Sequence, residues 1–296
     1  MAKIAVELKR ALVRRAEHGT PGQTTPRIIA RGDGWTVADV VCTCGPRDRS
    51  FEEQHTHYAI AIVVAGSFQY RSPLGRALMT PGSLMLGNAG QCFECGHEHA
   101  EGDRCVSFWY APGYFERLAA DARAFRAGAA FATPRLPALG LLSPLVARAS
   151  AGIIESAHAP WEEIGVALAA RAVSIATGTA PDPVGLPPNA AARVTQTIRA
   201  IERHTGANLT LGALARHAGL SPYHFLRTFE RITGVTPHQY VLRARLREAA
   251  VRLVDGPAKI VDVALDCGFA DISNFNRAFR KEFGVSPRAY RQKLIS

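Results

Sequence analysis

The sequence predicts an α+β chain: a β-rich N-terminal part followed by helices, then an all-α C-terminal part. Three observations carry that expectation. Short apolar or alternating runs, separated by Gly, Pro and Asp clusters, fill residues 35–110. From about residue 112 the apolar residues recur at helical spacing instead. The segment TGTAPDPVGLPPN (177–189) holds four prolines and two glycines, a composition that sustains neither a helix nor a central strand. It divides the 296 residues, enough for two cores, into 1–178, a linker over 179–190, and 191–296.

The chain opens with MAKIAVELKRALVRRAEHG, where Ile4, Leu8 and Leu12 recur at helical spacing among basic residues. It lacks a continuous apolar stretch, so it reads as an amphipathic helix and not as a secretion signal. Strands are expected over 35–42, 58–64, 67–70, 83–86 and 105–110; many short strands with such turns suggest a sandwich or a barrel. Helices follow over 112–126, 141–149 and 162–176. Their apolar stripes suit a partner helix, so they are expected to build a homodimer interface, with an intramolecular layer over the strands as the alternative. Trp35, Phe68, Tyr70, Phe93, Phe108 and Trp109 suit a small-molecule pocket or a packed core.

Beyond the linker the sequence repeats itself. Residues 214–240, LARHAGLSPYHFLRTFERITGVTPHQY, and 263–290, VALDCGFADISNFNRAFRKEFGVSPRAY, are two copies of one helix-turn-helix unit. Ala215, Gly219 and Leu220 match Ala264, Gly268 and Phe269 at an offset of 49. Phe225, Arg227, Phe229, Gly234, Pro237 and Tyr240 match Phe275, Arg277, Phe279, Gly284, Pro287 and Tyr290 at an offset of 50. One residue inserted in the turn accounts for the shift and aligns the expected N-caps Ser221 and Asp271.

In the first copy Phe225, Phe229 and Ile232 recur at i, i+4 and i+7 and face inward. Tyr223 and Arg227 then lie opposite, with His224 and Leu226 on the flanks. In the second copy Phe275, Phe279 and Glu282/Phe283 face inward; Ser273, Arg277 and Arg280 point out, flanked by Asn274 and Asn276. Arginine pairs with guanine and asparagine with adenine in the major groove. Arg231, Arg280 and Lys281 sit where phosphates or solvent would be met. A single helix over 236–254, roughly 28 Å long at 1.5 Å per residue, joins the copies; this is close to the ~34 Å of one DNA turn. Arg243, Arg245, Arg247 and Arg252 are expected to coat it, toward solvent or phosphates.

Charge agrees with this reading. The net +10 is concentrated in residues 190–296, where 17 Lys/Arg face 8 Asp/Glu; residues 1–189 hold 18 and 17. A basic domain on a neutral one is the footprint of a nucleic-acid binder. No apolar run approaches the ~18 residues of a membrane span. The chain is expected in the cytoplasm, where its six cysteines stay reduced.

The segment 192–296, with its two quoted copies and the connecting RARLREAA, resembles the DNA-binding domain of AraC-type transcriptional regulators. The family's recognition positions fall on Tyr223, His224, Leu226 and Arg227, and on Ser273, Asn274, Asn276 and Arg277. Leu226 stands where many relatives carry a polar base-reader. The resemblance implies an N-terminal effector or dimerisation domain, often a cupin-like β-barrel. It further implies double-stranded DNA as partner, a homodimer, RNA polymerase where the regulator is an activator, and no enzymatic activity.

His55-Thr56-His57, Gly66 and Pro81-Gly82-Ser83-Leu84 resemble a degenerate cupin pattern. The slot for its carboxylate ligand, Ala61 or Ile62, is apolar, which argues against an iron-dependent cupin enzyme. There remain Cys42-x-Cys44, His55-x-His57, Cys92-x-x-Cys95-x-His97-x-His99 and Cys105. Residues two apart on a strand share a side, and thiolate with imidazole suits zinc or copper(I). His55, His57, Cys92, Cys95 and His97 are the candidate metal ligands. Cys42, Cys44 and Cys105 are the candidate effector or redox thiols. Buried apolar cysteines with exposed loop histidines are the alternative.

Overall fold

In the computed structural model of the chain, the described residues are 2–48, 50, 52–121, 131–155, 159–176, 188–207, 209–220, 222–254 and 256–295. Most of the expected linker, and the expected cap Ser221, lie outside them. The N-terminal part begins with helix α1 (Ala2–His18). Nine strands follow: β1 (Thr24–Gly32), β2 (Trp35–Cys42), β3 (Glu52–Gln54), β4 (Tyr58–Gly66), β5 (Phe68–Ser72), β6 (Gly75–Met79), β7 (Leu84–Gly87), β8 (Cys92–Gly96) and β9 (Asp103–Tyr110). Helix α2 (Pro112–Asp121), the short β10 (Arg135–Leu136), α3 (Ser143–Glu155) and α4 (Trp161–Ala176) complete it.

The strands form two antiparallel sheets, one ordered β1-β2-β9-β4-β7-β10 and the other β3-β8-β5-β6. The sheets are not closed on each other, so an open sandwich stands where a cupin-like barrel was expected. The reason lies in the larger sheet, which is covered on both faces. One face meets the smaller sheet through Val63, Phe68, Tyr70, Met79, Met85 and Cys105. The other packs Ile60, Ile62, Leu86, Val106 and Phe108 against Trp161, Ile164 and Leu168 of the helical layer. The central β4 (YAIAIVVAG) is therefore apolar throughout, as a strand buried on both faces must be. Burying each of its valine and isoleucine side chains contributes about 1.5–3 kcal/mol. Helices α3 and α4 thus form an intramolecular layer, with Tyr110 Oη donating to the Gly165 carbonyl at 2.8 Å. Phe68, Tyr70, Phe93, Phe108 and Trp35 belong to these packed clusters.

The C-terminal part is all helix: α5 (Pro188–Arg203), α6 (Leu211–His217), α7 (Pro222–Thr233), α8 (Pro237–Val254), α9 (Ile260–Asp266), α10 (Ile272–Phe283) and α11 (Pro287–Ile295). It has two cores, and α8 serves both. Tyr240, Val241 and Ala244 join Val194, Ile198, Leu214, Phe225 and Phe229. Leu246, Ala249 and Leu253 join Val263, Phe269, Phe275, Phe279 and Tyr290. The duplication is visible in detail. Phe229 meets Tyr240 edge-to-face at 5.6 Å and 78°, and Phe279 meets Tyr290 at 5.3 Å and 80°. Gly234 and Gly284, which end the equivalent helices, both take φ +76°, the left-handed turn that favours glycine.

The two parts touch along α8. Arg243 donates to the Ala138 carbonyl at 3.0 Å, and Tyr240 Oη reaches the Pro81 carbonyl at 3.5 Å. Arg135 donates to the carbonyls of Leu78 and Ile232, linking the parts through one buried guanidinium. This placement corrects the expectation for the helix's arginines. Arg245 donates to the Thr205 and Ala207 carbonyls, Arg247 pairs with Glu202 at 2.7 Å, and Arg252 pairs with Glu248 and Asp266. With Arg243 they are internal ties, because a helix that feeds two cores and a domain boundary leaves little of its surface for solvent or phosphate.

Candidate nucleic-acid interface

Helix α10 is built to present one polar face. Asp271 precedes it in extended backbone, and its carboxylate accepts from the Asn274 N–H at 2.7 Å, a side-chain N-cap. Phe275, Phe279 and Phe283 are buried beneath it. Ser273, Asn274, Asn276, Arg277, Arg280 and Lys281 are all exposed. Every expected reader of the second copy is therefore free to meet a partner. Asn276, Arg277 and Arg280 also line a surface concavity of about 720 Å³, together with Ile260, Val261 and Arg288. Exposed Val261 and Leu265 on α9 add apolar surface beside this basic face.

Helix α7 repeats the design with less on view. Phe225 and Phe229 are fully buried, and Leu226 is half-buried on the flank. The side chains of Tyr223, His224 and Arg227 lie outside the described residues. Glu230 is exposed at the far end of the helix. The preceding helix α6 is capped by Thr210, whose hydroxyl accepts from the Ala213 N–H at 3.2 Å.

The N-terminal candidates separate into two places. His55 is buried, its ring stacked on Phe93 at 4.0 Å, and its Nε2 is hydrogen-bonded with Tyr70 Oη at 2.9 Å. Burial holds its pKa down to about 4, so it is neutral at physiological pH. A Cβ on Gly87 would come within 2.3 Å of this ring, so that position must stay glycine. His57 is exposed. Cys92 is half-buried on β8, where the neighbouring Glu52 pushes its thiol up.

His97, by contrast, lies with Cys42 and Asp103. One ligand-type atom from each falls within 4.8 Å of the others, and all three are buried. Asp103 Oδ2 is 2.7 Å from His97 Nε2, and Cys105 Sγ donates to Asp103 Oδ1 at 3.3 Å. Burial alone would push His97 down, but its contacts with Asp103 and Cys42 hold it up to about 10. Burial pushes the thiols of Cys42, Cys44, Cys95 and Cys105 upward. They are poor nucleophiles as they stand, since the thiolate is the reactive form. Asp103 was not among the candidates from sequence, although the alternation Asp103-x-Cys105 places the two on one side of a strand.

A sequence-family profile described as a helix-turn-helix domain matches residues 214–293. The chain is 36% identical over 104 residues to the HTH-type transcriptional activator RhaS of Escherichia coli O139:H28 (strain E24377A / ETEC), covering 35% of this chain and 37% of that protein. It is 38% identical over 90 residues to the probable transcriptional regulator LumQ of Photobacterium leiognathi, covering 30% and 36%. These matches span little more than a third of either relative. Among solved structures, a probable AraC family transcriptional regulator from Rhodopseudomonas palustris CGA009 is 30% identical, covering 34% of this chain and 96% of that one, with a TM-score of 0.33. The DNA-binding domain of AdpA, solved in complex with a target DNA, is 28% identical, covering 34% and 91%, with a TM-score of 0.34.

Proposed function

We propose that this chain, whose C-terminal domain is an AraC-type helix-turn-helix domain homologous to that of the RhaS activators, is a sequence-specific regulator of transcription. The observation that carries the reading is the exposed polar face of α10, held outward by the Asp271 cap over three buried phenylalanines. Phosphate contacts from the basic domain supply most of the affinity, in a salt-dependent way. Asn274, Asn276 and Arg277 supply sequence choice on α10, and Tyr223, His224 and Arg227 occupy the equivalent positions on α7.

In this reading the N-terminal domain senses a ligand, a metal or a thiol-reactive signal and biases how the reading heads are presented. Arg135, Arg243 and Tyr240 carry the bias, since each ties the N-terminal domain to the C-terminal one. The chain acts in the cytoplasm as a homodimer, binds and does not catalyse, and engages RNA polymerase where it activates.

The test is selection of duplexes from a random pool by the full chain, followed by affinity measured against salt. The expected result is an enriched motif and a log-log salt slope of several phosphates. Equal affinity for selected and random duplexes would remove the reading.

A further inference from the structure

We propose that Cys42, His97 and Asp103 are the ligands of a zinc ion in the N-terminal domain. The fold brings them together from three places. Cys42 ends β2 and Asp103 begins β9, and the two are direct partners in the antiparallel register. His97 follows β8 and arrives from the smaller sheet. The site therefore lies where the two sheets meet, and an ion there would tie one to the other.

The donor set selects the metal. Thiolate, imidazole and carboxylate together suit zinc; copper(I), which prefers sulfur, has no use for the carboxylate. Zinc bonds of about 2.0–2.3 Å place tetrahedral ligand atoms roughly 3.3–3.8 Å apart. The three atoms already lie within 4.8 Å of one another, so ordinary side-chain adjustment closes the site. One thiolate and one carboxylate also neutralise a doubly charged ion, which a buried site requires. When the ion enters, the Cys42 thiol proton and the proton at the His97–Asp103 contact leave to solvent.

A further feature points the same way. Asp103 is oriented by the Cys105 S–H, the outer support that ligating carboxylates ordinarily receive. A surface recess of about 80 Å³, lined by Gly45, Glu94 and Gly96 among others, reaches His97. The site differs from the set expected from sequence: Cys95 lies on the strand beside it, while His55, His57 and Cys92 lie elsewhere. Zinc binding stands on this geometry alone; only its use as a signal rests on the regulator reading.

The test is titration of the untagged full chain with cobalt(II) and then zinc(II), with elemental analysis after dialysis. The expected result is one equivalent per chain, with the tetrahedral cobalt spectrum and its thiolate charge-transfer band. Cys42→Ser should abolish that band; His97→Gln and Asp103→Asn should weaken zinc at least tenfold; Cys92→Ser should change nothing. A folded wild-type chain that gives no thiolate band with cobalt overturns the proposal, whatever the variants do. So does a band that survives in Cys42→Ser. Zinc bound at one equivalent without any change in DNA affinity would keep the site and remove its role as a signal.

Discussion

Ser143 Oγ donates to Glu282 Oε1, joining the first turn of α3 in the N-terminal part to the last turn of α10. Arg243 completes the junction, with its Nε 3.3 Å from the same Glu282 oxygen. One carboxylate thus collects a hydroxyl from one domain and a guanidinium from the helix that joins the two heads. Glu282→Ala should lower the unfolding free energy of the full chain by about 1–3 kcal/mol, because it leaves Arg243 half-buried without its acid. Amide exchange around residues 138–147 should quicken in the same variant. Unchanged exchange there would mean that the junction does not hold the domains together.

The two aromatic clasps, Phe229 on Tyr240 and Phe279 on Tyr290, have nearly the same geometry and the same full burial of phenylalanine. Phe229→Ala and Phe279→Ala should therefore cost similar amounts, about 3–5 kcal/mol each. Denaturant titration of the two variants checks this. A cost confined to one copy would show that the repeat is no longer a structural equivalence.

His55 gives a pH dependence of definite sign. Its unfolded imidazole binds a proton near pH 6.5 and its folded one only near 4, so the unfolded state holds more protons between those values. Stability from this residue is complete above pH 6.5 and is lost as pH falls toward 4, by up to about 3 kcal/mol. Urea midpoints from pH 4 to 7 should rise with pH in the wild type and flatten in His55→Gln. A midpoint that falls with rising pH across this window contradicts the buried neutral histidine.

Arg277 is exposed at the centre of the α10 polar face. Arg277→Ala should relax preference at one base pair, at a cost of about 1–3 kcal/mol, and leave other positions of the selected motif unchanged. Lys281→Ala, further along the helix, should weaken all duplexes alike. Binding of every single-position duplex variant with wild-type ratios would strike Arg277 from the readers.

The duplicated domain was the most legible part of the sequence, because phenylalanine spacing and turn glycines specify each copy locally. Strands bounded by turn residues, such as 35–42 and 58–64, were legible for the same reason. Strand β1 was not: it is an exposed edge strand carrying Pro26, so no alternation marks it. Strand β8 is half-buried along its whole length, so no alternation of buried and exposed positions marks it. The arginines of α8 misled because burial of Arg247 and Glu248 depends on partners, Glu202 and Thr205, that are distant in sequence. Asp103 escaped because an aspartate at a strand start looks like a turn residue until Cys42 is seen opposite it.

The central claim is that two duplicated heads grip neighbouring grooves from one polypeptide. Chemical footprinting of the full chain on a duplex it has selected tests this most directly. The account predicts two contacted major-groove segments on one face, about 10 base pairs apart, with Arg277→Ala erasing contacts in only one of them. A single contacted segment, or two on opposite faces of the duplex, would contradict it.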